Sequence, residues 1–60
     1  MNLEEHIPGK KEVNANRIEL ARTVADLGDP ELALDLLHEV IDEGNRAQRR
    51  EARALLATLH

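Results

Sequence analysis

The chain has 60 residues, a net charge of −4, and an apolar content of 42% with no aromatic residue and no cysteine. That length allows one small domain burying only about 60% of the surface it exposes when unfolded. It leaves no disulfide framework, no run of roughly 20 apolar residues to span a membrane, no visible signal peptide, and an acidic balance that argues against general nucleic-acid binding.

Residues 1–13 carry Pro8-Gly9 and Lys10-Lys11 with few apolar side chains, and read as a flexible leader whose last residues, Glu12 and Val13, fray into the first helix. The first helix is expected to start at Asn14 or Asn16. Asn16 with Glu19 three residues on has the spacing of a capping box. Leu20, Val24 and Leu27 recur on one face beside Ala21. Gly28 then supplies a left-handed stop.

A second helix follows at once. Asp29 is its cap, Pro30 sits where a missing amide costs nothing, and Glu31 faces the positive end of the dipole. Its apolar stripe is broad, with Leu32, Ala33, Leu36, Leu37, Val40 and Ile41, and Leu34 on the flank. A stripe that wide asks for neighbours on two sides. Gly44 ends it. Asn45 caps a third helix from Arg46 to about Leu59, whose buried face is Ala52, Leu55, Leu56 and Leu59. Three helices joined by short turns, each antiparallel to the one before, give an all-α domain. Ala21 and Ala33 let the first two backbones approach, with Leu20, Val24, Leu37 and Val40 filling around them.

The order Leu20-Ala21, Val24, Gly28-Asp29, Ala33, Leu37, Val40 resembles one tetratricopeptide (TPR) hairpin, with the third helix as a cap sealing the end. A narrower resemblance runs from Ile18 to Leu59. "LAR" (Leu20 to Arg22), "GDPE" (Gly28 to Glu31), "DLLHEVIDEG" (Asp35 to Gly44) and "QRREARALLATL" (Gln48 to Leu59) are similar to the C-terminal domain of the FimV family of polar hub proteins. That resemblance implies that residues 14–60 are a TPR-like helical domain at the cytoplasmic end of a large inner-membrane protein. Its role would be a docking module in type IV pilus assembly, twitching motility and cell-pole organisation. The implied partner is a protein or peptide of that machinery. No nucleic acid, no membrane contact by this segment and no cofactor are expected, and the chain would be a monomer or weak homodimer.

TPR hairpins present the outer face of their first helix to ligand. Carried onto this sequence, that face is Ile18, Arg22, Ala25 and Asp26, with Arg22 set to meet a carboxylate and Ile18 and Ala25 forming a small apolar platform. The plainer alternative pairs Arg22 with Asp26 at i,i+4 on a solvated face.

The charges divide by helix. Asp29, Glu31, Asp35, Glu39, Asp42 and Glu43 belong to the second helix, and Arg46, Arg49, Arg50 and Arg53 to the third, against Glu51 alone. The expected arrangement sets Glu39, Asp42 and Glu43 beside Arg46, Arg49 and Arg50 across the turn at Gly44-Asn45, ahead of a reading of the arginines as a patch for nucleic acid or an acidic partner. His6, His38 and His60 include no i,i+4 pair, so a metal site is not expected. There is no serine or cysteine nucleophile, Thr23 and Thr58 have no base at a telling spacing, and no Gly-rich phosphate loop occurs. The sequence therefore reads as a non-catalytic protein-interaction module. A small helix-turn-helix DNA binder and a structural dimerisation or capping unit are the alternatives.

Overall fold

The computed structural model describes residues 9–59 as three α-helices: α1 (Lys10–Asp26), α2 (Pro30–Glu43) and α3 (Arg46–Thr58). Residues 1–8, most of the expected leader, and His60 lie outside the described residues, and His6 with them. All three helices pack against one another, α1 most extensively against α2. The all-α, three-helix architecture is the one the sequence indicated.

The first helix starts earlier than expected. Gly9 is its extended N-cap, with φ −76° and ψ 174°, and its carbonyl accepts the Val13 amide at 3.0 Å. Residues 10–13 are therefore helix rather than leader, and Asn16 is an exposed interior residue instead of a cap. The cause is visible at Asn14, which is fully buried. Its Nδ2 donates to the Lys10 carbonyl at 3.0 Å, one turn back, and its Oδ1 accepts from Arg17 Nη1 at 2.9 Å. A buried amide satisfied on both sides holds the extra turn in place, and Lys10, Lys11 and Glu12 are good helix formers.

The inward face of α1 also differs from the one expected. Ile18 and Ala21 are buried and Val24 and Ala25 are packed against the core, whereas Leu20 is 48% and Leu27 is 79% exposed. The inward residues Asn14, Ile18, Ala21 and Ala25 keep i, i+4, i+7, i+11 spacing, the helical period. Leu20 is about 200° of helical rotation from Ile18 and so lies on the far side. On α2 the buried set is Ala33, Leu37 and Val40, flanked by Leu36 and Ile41, while Leu32 is 41% exposed. Ala52 of α3 completes the core, with Leu55, Leu56 and Leu59 half-buried around it. Both alanines expected at the α1–α2 contact are in the core, and Ile18 takes the filling role expected of Leu20.

The first turn closes as a Schellman motif. The Asp29 amide bonds to the Val24 carbonyl at 2.9 Å and the Gly28 amide to the Ala25 carbonyl at 3.1 Å, with Gly28 at φ +93°. Asp29 then begins α2 by accepting the Leu32 amide on its side chain at 3.2 Å, and Pro30 occupies the first turn. At the second turn, Asn45 Oδ1 accepts the Gln48 amide at 2.8 Å and Gln48 Oε1 accepts the Asn45 amide at 3.1 Å, a capping box. The Asn-x-x-Gln signature thus sits at 45–48, not the Asn-x-x-Glu at 16–19. Gln48 also sends Nε2 to the Lys11 carbonyl of α1 at 2.8 Å, fastening the first turn of α3 to the first turn of α1.

Candidate protein-docking surface

The four residues expected to form a ligand face do not stay together. Ile18 is 3% exposed and belongs to the core, so it offers nothing to a partner. Arg22, Ala25 and Asp26 do share a feature, a groove of about 360 Å³ between the C-terminal halves of α1 and α3, floored by Ala21 and Leu37 and closed by Leu55, Thr58 and Leu59. Its floor is apolar because small α1 residues face half-buried leucines of α3. Its rim is polar because Arg22 and Asp26 stand on the outer edge of α1.

Arg22 is not paired with Asp26. Its Nη2 reaches Glu51 of α3 at 2.8 Å and its Nη1 meets Glu19 at 3.5 Å. The guanidinium is thus held across the groove by the single acidic residue of α3, which orients it while leaving it 43% exposed. Exposed pairs of this kind contribute about 0–1 kcal/mol each, so Arg22 can exchange Glu51 for another carboxylate at little cost.

Across the opposite side of α1, Arg17 joins α1 to α2. Its Nη1 bonds to Glu43 at 2.9 Å and its Nε to Glu39 at 3.2 Å. The hydrogen bond from Arg17, with its charge, holds the Glu43 carboxyl below the ordinary carboxylate value of 4.5, and the same bond raises Arg17. This corrects the expected pairing across the second turn. Glu39 and Glu43 turn to α1, and among the described residues no ion pair links α2 to α3. Arg49 instead donates to the Gly44 carbonyl at 3.2 Å, capping the end of α2, while Arg46, Arg50 and Arg53 stand exposed. Sequence reasoning missed Arg17 because its partners lie 22 and 26 residues away, on a different helix.

His38 is exposed, and among the described residues no group of three His, Asp or Glu side chains converges as metal ligands. No helix among them is long and apolar enough to cross a membrane.

Fold and groove together define an all-α three-helix domain with an open cleft between its first and third helices. Over 45 residues, 75% of its length, the chain is 51% identical to the motility hub protein FimV of Pseudomonas aeruginosa, in strains PAO1 and UCBPP-PA14 alike. That degree of identity relates the chain to FimV. It spans about 5% of the length of those relatives. No protein-family model matches the chain.

Proposed function

We infer that this chain is a FimV-type C-terminal domain, a TPR-like hairpin with a capping third helix, and that it acts as a protein-interaction module rather than as an enzyme. In this reading it stands at the cytoplasmic end of an inner-membrane motility hub and holds a protein of the pilus or cell-pole machinery. The observation that carries the reading is the 51% identity to a protein named as a motility hub, extending over three quarters of the chain. The groove adds to it. Ala21 and Leu37 give the cleft an apolar floor beside Ala25, and Arg22 and Asp26 place one cation and one anion at its rim, a combination suited to a peptide side chain beside a carboxylate.

The test is capture of proteins from a Pseudomonas lysate on immobilised chain, compared with the variant Arg22→Glu, whose helix content is checked by circular dichroism. A discrete protein held by the parent and reduced about tenfold on the variant, roughly 1.4 kcal/mol of binding, is the expected result. Equal capture by both removes the groove as the docking face.

A further inference from the structure

We propose that the exposed arginine ridge of α3, formed by Arg46, Arg50 and Arg53, is a second docking surface that takes an acidic helical segment of a partner protein. The proposal rests on the reading above that the domain works by holding another protein, and it names the chemistry of that protein.

The molecule contains 12 acidic and 8 basic residues, so carboxylates are in surplus. Arg17 and Arg22 each take two of them. Arg46, Arg50 and Arg53 have no carboxylate partner among the described residues, although α2, the helix just before them, carries six acids with its cap. Two of those, Glu39 and Glu43, are held by Arg17 on the far side. The ridge is left with its full hydrogen-bonding capacity directed to solvent. Five N–H donors in a planar fork on each arginine match carboxylates in bidentate fashion.

The spacing of the ridge matches that of a helix as occupant. Residues 46, 50 and 53 follow i, i+4, i+7 spacing, which places them on one stripe about 10 Å long. Carboxylates with the same spacing on a partner helix meet all three. Beside the stripe stand the small exposed side chains of Ala47, Ala54 and Ala57, which let a second backbone come close, while Glu51, the one acid of α3, is turned to Arg22. Such a surface acts chiefly through steering and orientation, and its binding falls with ionic strength.

The probe is a fluorescein-labelled, alanine-based helical peptide with glutamates at i, i+4 and i+7, titrated with the full chain by fluorescence anisotropy at low salt and at about 0.15 M salt. Two double variants remove equal charge from exposed positions, Arg50→Gln with Arg53→Gln on the ridge and Lys10→Gln with Lys11→Gln on α1. The expected result is salt-sensitive binding weakened about tenfold by the ridge pair and less than about twofold by the lysine pair, with helix content unchanged in both. Equal weakening by the two pairs reduces the effect to net charge and overturns the proposal. So does absence of binding to the peptide. Tighter binding of a 20-base-pair duplex than of the peptide assigns the ridge to nucleic acid, and a salt-sensitive dimer lost with the ridge pair in sedimentation assigns it to a second copy; either outcome also overturns it. A negative result here leaves the lysate capture at Arg22 as it stands, so the two failures are separable.

Discussion

The two turns of this domain share a dipeptide pattern, Gly-Asp at 28–29 and Gly-Asn at 44–45, yet glycine is required for different reasons. Gly28 has φ +93°, and a β-carbon built there meets nothing within 4 Å. Its requirement is conformational: the backbone sits where an L side chain clashes with its own peptide. Gly44 has φ −76°, which any residue adopts, but a β-carbon there falls 2.7 Å from the Val40 carbonyl oxygen and 3.1 Å from Val40 Cγ1 and Gln48 Cβ. Its requirement is space, because the chain of α3 leaves the end of α2 through a buried point. A glycine ahead of a capping residue thus reports a turn without saying whether dihedral or room demands it.

Substitutions separate the two cases. Gly44→Ala forces the Val40 backbone to move and is expected to cost about 2–3 kcal/mol in chemical denaturation. Gly28→Ala costs about 1–2 kcal/mol, and Gly28→Asn recovers much of it, since asparagine tolerates the left-handed region. Gly44→Asn recovers nothing. If Gly44→Asn proved as mild as Gly28→Asn, the distinction between the turns would collapse.

The caps differ as well. Gln48 serves two helices, so Gln48→Ala strands the Lys11 carbonyl and the Asn45 amide together and is expected to cost about 2 kcal/mol. Asp29→Ala, at the other turn, removes one exposed cap bond and costs about 1 kcal/mol. A cost at Gln48 no greater than at Asp29 would mean that the bond to α1 contributes nothing.

The smallest effect concerns acid. Glu43 beside the second turn has its folded pKa depressed by Arg17, so it contributes stability present above its ordinary value of 4.5 and lost as pH falls below 4.5 through the folded value. Glu43→Gln removes that share of the pH dependence, and thermal melts at pH 7 and pH 3 of parent and variant measure it. A parent and variant that lose melting temperature equally between those pH values would contradict the Arg17 bond.

Much of this was legible in the sequence. Gly28, Asp29, Pro30, Gly44 and Asn45 are local signals, readable within one turn of chain, and they placed α2 and the start of α3. The core alanines and Leu37 followed from helical period. What misled was the start of α1. Asn14 reads as a cap because asparagine is rarely buried, and only a tertiary setting, with Arg17 accommodating its oxygen, makes it an interior residue. Separately, the inward stripe of α1 runs through Asn14, Ile18, Ala21 and Ala25 rather than through Leu20 and Leu27, so Leu20 is left outside and Ile18, one member of the expected ligand face, goes into the core. The ion pairs were the least legible part, since Arg17 with Glu39 and Glu43, and Arg22 with Glu51, join positions 22 to 29 residues apart. Charge proximity in sequence pointed to the neighbouring turn, while the helix faces decided otherwise.

The most direct measurement of the functional account is made in Pseudomonas aeruginosa, by exchanging the 45-residue segment of FimV that this chain matches for the chain itself, with deletion of the segment as the reference. The account predicts a twitching zone close to that of the parent strain and well above that of the deletion. A zone no larger than the deletion strain's, with the hybrid present at parental abundance, would contradict it.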